Sequence, residues 1–489
     1  MKEETDQPMA KGSLALGGQL LGERRDVWWL GIDRKWWVLV TVGIGTLMGS
    51  LDGSITNVVM PVIMKDFGIG LATVEWVSMI YLLVVSGLLL TFGRLGDMAG
   101  HVRVFILGVV LFTIGSLLCA LSPAPLVLIA MRGLQAVGSA MVMSNSPAIL
   151  TRTFPGRQRG QALGMQGTMT YLGLMIGPAF GGYLTERFSW RMAFLVNLPI
   201  GLLTIALALA VIAEREPASK HESFDLAGAV TFLGGLSALL LALSHGQDWG
   251  WTSGLVLALL ASAVILLGLF VQIERRVAHP MLDLSMFGTR IFSAGAASAL
   301  MNYLSTSAVL FLVPFFLIQY RGLDPSQAGI LLSTQAVMMV IFAPLSGTLS
   351  DRIGSRVLSS GGMIIVTLAV LSMATVDSAT DSPGIAARLM LAGLGTALFV
   401  SPNSSAVMGS APRQRQGVAS AVLGGARNVG MVMGVASGGA ILSALLAAHG
   451  ASIGQNPGFL PAFRETFLLL SIVGVIGTVT SLARGKPAA

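Results

Sequence analysis

Apolar residues run along this chain in blocks too long for the core helices of a soluble protein, separated by Gly, Pro or charge-bearing connections. A helix needs about 20 apolar residues to cross a bilayer. Fourteen blocks approach or exceed that length: 37–62, 74–93, 104–122, 126–150, 161–184, 192–212, 226–244, 253–273, 292–318, 327–348, 357–376, 385–408, 417–446 and 464–483. Several contain Gly or Pro, which predicts tilt or bending. The pattern therefore predicts an all-α membrane protein with fourteen transmembrane helices and no stretch left for a separate soluble domain. The first 35 residues carry Glu3, Glu4, Arg24 and Arg25 before any long apolar run, unlike a cleavable signal peptide. Trp28, Trp29, Trp36 and Trp37 beside Arg34 and Lys35 read as an interfacial anchor.

Composition sharpens this picture. Of 489 residues 54% are hydrophobic and 11% charged, against about 25% charged in ordinary globular chains, which excludes a cytosolic enzyme. The net charge of +7 would raise nucleic acid as a partner in a soluble chain; here basic loops account for it. Cys119 is a lone cysteine in an apolar run, so neither a disulfide framework nor a cysteine metal site is available. No Gly-rich phosphate loop ending in Lys-Ser or Lys-Thr is present, which argues against nucleotide-driven pumping. No metal, cofactor or enzymatic chemistry is expected.

The distribution of basic residues predicts orientation. Placing the N-terminus and every even-to-odd connection on one side puts 22 of the 30 Lys and Arg there, against six on the other. By the positive-inside rule both termini are cytoplasmic, as an even number of spans requires. The two basic residues left over, Arg132 and Arg427, fall inside spans.

A long-period repeat organises the chain. Gly93, Leu95, Asp97 and Gly100 recur 254 residues later as Gly347, Leu349, Asp351 and Gly354. Gly138, Ala140 and Ser144 recur 257 residues later as Gly395, Ala397 and Ser401, and Gly173, Gly177, Gly181 and Gly182 as Gly430, Gly434, Gly438 and Gly439. Spans 1–6 thus map onto spans 9–14 and leave spans 7 and 8 as an insert. The expected organisation is an N-terminal segment 1–35, a six-helix bundle 36–213, a two-helix insert with linkers 214–290, a second six-helix bundle 291–484 and a tail 485–489. Two repeated half-bundles facing a midplane site are the architecture of alternating-access transporters.

Four strings carry candidate chemistry. After span 2, Gly93 to Arg103 contains glycines that permit a tight turn, and Asp97 is placed to accept hydrogen bonds from a neighbouring helix N-terminus. This reads as a conformational latch of Gly93, Asp97, Gly100 and Arg103, repeated by Asp351 and Arg352; the plain alternative is a solvated polar turn. In span 4, Arg132 costs about 2.5–3.5 kcal/mol in hydrocarbon unless it finds partners inside the bundle, or else it snorkels toward the helix end. In span 5, Gly173, Gly177 and Gly181 form a smooth strip, with Gly182 beside it and Pro178 removing a backbone donor. In span 1, Asp52 is the acid placed well away from both membrane surfaces, with Glu75 near the outer end of span 2 as its nearest rival. Asp52 is a candidate for gaining and releasing a proton with Arg132 and Glu75; the alternative is a structural acid satisfied by Asn57, Ser54 or Arg132.

In this order the four strings resemble the major facilitator superfamily, specifically its fourteen-helix drug:proton antiporters, over essentially the whole chain. The Gly93 to Arg103 loop is similar to the superfamily-wide loop, the Gly173 to Gly182 strip to its antiporter motif, and Arg132 to its helix 4 arginine implicated in proton transfer. The resemblance implies a proton-coupled multidrug efflux protein of the plasma (inner) membrane. Its partners would be protons and amphiphilic, often cationic small molecules or lipids, and it would act as a monomer. Met98 and His101 stand where the family loop carries basic residues, so the latch is expected to rest on Asp97 and Arg103. No acid lies deep in spans 9–14 and Arg427 adds positive charge there, so monocationic, neutral or lipid-like cargo fits better than dicationic.

An exporter needs a largely apolar cavity with a few polar groups. Candidate lining residues in the first half are Asn57, Tyr81, Gln135, Asn145, Gln166, Met169 and Tyr171. In the second half they are Asn302, Tyr303, Phe311, Phe315, Met338, Asn403 and Asn428. Two further readings stay open: an exporter or flippase of a lipid or specific metabolite on the same scaffold, and a membrane sensor that no longer cycles.

Overall fold

The computed structural model describes residues 31–212, 224–277, 279–451 and 457–484. Trp28, Trp29 and the tail 485–489 lie outside them, while Trp36 packs inward, its ring 5.4 Å edge-on from Phe154. The described residues form fourteen long helices. The first eight are α1 (Arg34–Phe67), α2 (Leu71–Ala99), α3 (His101–Ala120), α4 (Pro125–Thr153), α5 (Arg159–Arg187), α6 (Met192–Val211), α7 (Leu226–Trp249) and α8 (Gly254–Glu274). Then follow α9 (Arg290–Pro314, prolonged by a π-helical turn to Tyr320), α10 (Pro325–Ile353), α11 (Ser355–Met373), α12 (Ser382–Ser410), α13 (Gln416–Ala448) and α14 (Phe459–Leu482). Thirteen are long and apolar enough to cross a membrane. The fourteenth, α5, is diluted by glycine, threonine and glutamine, which suits a helix packed between α1 and α10.

The helices end where the sequence changes backbone demand. Gly68 closes α1 in the left-handed region, φ +64°. Asp225 and Ser253 cap α7 and α8 by accepting from the amides of Gly228 and Val256. One expectation needs correction. Gly93 and Gly96 are not turn residues: α2 stays helical to Ala99, and Gly100, at φ +99°, alone makes the break into α3. Gly354, at φ +93°, repeats that break between α10 and α11. Gly93 instead permits contact, because a Cβ there would run into the Gly417 carbonyl of α13. Gly347 stands the same way against Gly160 of α5.

The repeat becomes a packing rule. On α5, Gly173 faces the α1 backbone at Leu47 and Leu51, and Ser54 donates a 3.0 Å hydrogen bond to the Gly173 carbonyl. On α13, Gly430 faces Leu300 of α9, and Ser307 donates at 3.0 Å to the Met431 carbonyl. The insert packs by α7 against α2 and α13, which places it on a seam between the halves. Much of α8 is exposed beyond it.

Candidate functional site

Three neighbouring arrangements make up the site. The first is a buried ionic cluster inside the N-terminal half. Arg132 of α4 donates from Nη1 to Asp52 Oδ2 of α1 at 2.7 Å and to Gln135 Oε1 at 2.6 Å, and from Nε to the Val77 carbonyl of α2 at 3.2 Å. The other Asp52 oxygen accepts from Gln135 Nε2 at 2.9 Å and from Asn197 Nδ2 of α6 at 2.8 Å. Ser116 of α3 accepts from both of those amides. Asp52 and Arg132 are each only 1% exposed. Partners inside the bundle, rather than snorkelling, therefore offset the cost of burying the arginine. Of the partners expected for Asp52, Arg132 contacts it. Ser54 is occupied with Gly173, and Asn57 is exposed, accepting instead from Ser78 at 3.2 Å. Glu75, half-buried near the start of α2, makes no contact with the cluster.

The second arrangement is a pair of latches at the face where α1 starts and α14 ends. Asp97 accepts from the amides of Gly417 and Val418, the first turn of α13, at 3.0 and 3.1 Å. Asp351 accepts from the amides of Gly160 and Gln161, the first turn of α5, at 3.0 Å each. Each carboxylate thus crosses to the opposite half and meets unpaired amides at the positive end of a helix dipole. Two expected members are displaced. Arg103 and Arg352 are exposed, whereas His101 lies 3.2 Å from Asp97 and 2.7 Å from Asn145 Oδ1. Arg152 approaches Asp97 at 3.9 Å and donates to the Arg413 carbonyl of the other half at 2.7 Å.

The third is a central cavity of about 350 Å³. Of the expected lining residues, Tyr81, Gln166, Tyr171, Tyr303, Asn403 and Asn428 line it. The others turn elsewhere. Gln135 belongs to the ionic cluster, and Asn145 is tied to His101 and the Phe92 carbonyl. Met169 packs over Gly43, Asn302 is buried against Met363, and Phe311 stacks edge-on with Phe315 in the core of the second half. Met338 is half-buried and away from the lining. Tyr81 divides cavity from cluster: it lines the former, its hydroxyl donates to Ser139 at 2.7 Å, and the Arg132 guanidinium lies 4.4 Å from its ring centre.

Sequence reasoning missed Asn197 and Ser116 as partners of the ionic cluster and His101 as a latch residue. A lone Asn at the head of an otherwise apolar span was the available signal for Asn197. Gly173, Gly177 and Gly181 pack closely on α1, whereas at Gly182, beside the strip, an added Cβ meets nothing within 4 Å. Pro178 is exposed on the outer side of α5.

Comparison with known proteins agrees with this geometry. Residues 42–296 and 295–488 each match the model of the Major Facilitator Superfamily. The chain is 31% identical over 451 residues to the riboflavin transporter RibZ of Clostridioides difficile, covering 92% of this chain and 98% of that one. It is 33% identical to the multidrug resistance protein Stp of Mycobacterium tuberculosis, covering 84% and 76% respectively. It is 30% identical to the tetracenomycin C resistance and export protein of Streptomyces glaucescens, covering 85% and 77%. In fold it is similar to the human organic anion transporter MFSD10, with TM-score 0.67 at 16% identity over 91% of this chain and 99% of that one. It also resembles the proton:xylose symporter XylE, with TM-score 0.62 at 14% identity, covering 91% and 94%. A family match that spans almost the whole chain, on fourteen helices laid out in two repeated halves, makes this protein a multi-pass membrane transporter of the major facilitator superfamily.

Proposed function

We propose that this transporter is a proton-coupled antiporter of the plasma membrane that exports amphiphilic small molecules by alternating access, acting as a monomer with both termini in the cytoplasm. The observation that carries the reading is the Asp52–Arg132 pair, buried behind Tyr81, in a molecule whose terminus-side face is held shut by Asp97 and Asp351. With that face cytoplasmic, as the basic loops argue, this is the state that waits for a proton from outside. Protonating Asp52 removes the anion from a cluster that leaves Arg132 charged. Removing one partner of a buried pair costs about 3–5 kcal/mol, a cost relieved when α1 and α4 shift and water or substrate-side groups reach the guanidinium. One proton driven inward supplies about 2.3 kcal/mol per 100 mV, a comparable amount.

A second reading has a specific observation behind it. RibZ, a relative matched over nearly its whole length, is named for one vitamin rather than for drugs. A dedicated metabolite or lipid cargo on the same mechanism fits that likeness. The test of the shared mechanism is dye efflux from proteoliposomes with an imposed proton gradient. Asp52→Asn is expected to abolish gradient-driven flux while leaving dye binding in place. Flux at the wild-type rate in that variant, insensitive to collapse of the gradient, would remove proton exchange at Asp52.

A further inference from the structure

The cavity has a net charge opposite to the one a receptor for cations needs. Among the described residues that line it, Arg427 of α13 is the one charged side chain. Its contacts are long: Nε stands 3.5 Å from Asn428 Oδ1, and Nη2 stands 3.9 Å from Met143 Sδ, a weak acceptor. No carboxylate lies within ion-pair distance of it among the described residues. The intramembrane acid of the first half, Asp52, does not line the cavity, and its two oxygens already accept from Arg132, Gln135 and Asn197. The Arg132 guanidinium that pairs with that acid packs on the ring of Tyr81, which lines the cavity. A guanidinium offers five N–H donors in a planar fork that matches a carboxylate. In the same cavity Tyr81, Tyr171 and Tyr303 provide flat ring surface.

We propose, resting on the transport reading above, that the cavity selects organic anions: flat aromatic molecules whose acidic group is read by Arg427. The rings supply surface for the aromatic body, and the guanidinium supplies the charge. Cations of the same shape meet an uncompensated positive charge in a low-dielectric space.

The experiment uses two xanthene dyes of one ring skeleton, fluorescein as the anion and rhodamine 123 as the cation, bound to the full-length protein in nanodiscs at pH 7.5 and read by fluorescence anisotropy. Wild type is expected to bind fluorescein more tightly than rhodamine 123. Arg427→Gln should weaken fluorescein roughly 10- to 100-fold, the range of a charge-assisted hydrogen bond, and leave rhodamine 123 unchanged or tighter. Arg427→Lys should keep part of the preference. Wild type favouring rhodamine 123 overturns the proposal without any variant. So does Arg427→Gln that leaves fluorescein within twofold, or that weakens both dyes equally in a protein of unchanged melting temperature. Binding at equilibrium requires no cycling, so Arg427-dependent fluorescein binding without gradient-driven flux would count against the proposed proton-coupled export and leave the anion site standing.

Discussion

Ser54 and Ser307 stand 253 residues apart and do the same thing: each donates a 3.0 Å hydrogen bond to a carbonyl on the glycine-lined helix beside it. With the two halves aligned on that match and on the repeated loop and helix strings, the ionic cluster has a counterpart position in the second half. Asp52 corresponds to Ser305, Tyr81 to Gln335, Arg132 to Leu389 and Gln135 to Ala392. Leu389 is fully buried in the apolar core of that half, and Ala392 and Ser305 are each 1% exposed. The same helical frame therefore closes with serine, leucine and alanine where the first half keeps an acid, a cation and an amide. A buried pair is weak evidence for stability, because well-packed apolar residues of similar volume often hold a fold as well or better. The comparison teaches that the frame does not require the cluster. What the first half retains at that position is what the proposed proton exchange would use.

The sharpest way to break this comparison is to give the first half the second half's solution. Arg132→Leu alone leaves a buried carboxylate without its cation and should destabilise the protein by about 3–5 kcal/mol, read as a lowered melting temperature in detergent. Adding Asp52→Ser and Gln135→Ala should recover most of that loss, because no buried charge is left unpaired. The three changes are strongly non-additive since they share one network. The repaired protein should bind dye and fail to couple to a gradient. A triple variant as unstable as Arg132→Leu would mean that the cluster holds the half-bundle together.

The latches offer a second, smaller contrast. Both carboxylates accept two amides from the opposite half, but Asp97 also has His101 at 3.2 Å and Arg152 at 3.9 Å. Hydrogen bonds to a charged acceptor are worth about 1.5–3 kcal/mol each in stability. Asp97→Asn and Asp351→Asn should each shift the population away from the latched state by roughly tenfold or more, Asp97→Asn further. Spin labels at the exposed positions Arg157 and Arg352, one in each half, would report the separation. Equal shifts would show that His101 and Arg152 contribute nothing to closure.

These contrasts also mark what could be read from the chain. The helices, the repeat and both latch aspartates were legible, because length, offset and a paired motif are properties of the string itself. The side of each helix that faces the cavity was not. In a bundle where helices are apolar almost all round, helical phase has little polar contrast to fix it. So polarity alone points Asn145 and Asn302 into the cavity, while one is tied to His101 and the other buried against Met363. Gln135 carried a usable signal: three residues after Arg132, it shares that residue's face of α4. Asn197 meets Asp52 from 145 residues away, and only the packed fold brings them together.

The smallest effects test the glycine strips, which pack alike at Gly177 and Gly434, each against a serine hydroxyl, and differ at Gly181 and Gly438. An added Cβ at Gly177 would fall on Ser54 Oγ, and one at Gly181 would stand 3.0 Å from the Ile55 side chain. At Gly438, the counterpart of Gly181, the nearest atom of Leu312 is 3.4 Å away, ordinary contact distance. At Gly182 the space is open. Alanine gains about 0.8–1 kcal/mol over glycine in a helix interior, so the outcome depends on whether the neighbour can give way. Gly177→Ala should lower the melting temperature and flux, because displacing Ser54 breaks its hydrogen bond to Gly173. Gly438→Ala should be tolerated. Gly182→Ala should be neutral to slightly stabilising, with flux within twofold of wild type. Loss of flux in Gly182→Ala with unchanged melting would locate the role of that glycine in the opposite conformation, where α5 meets a surface it does not touch here.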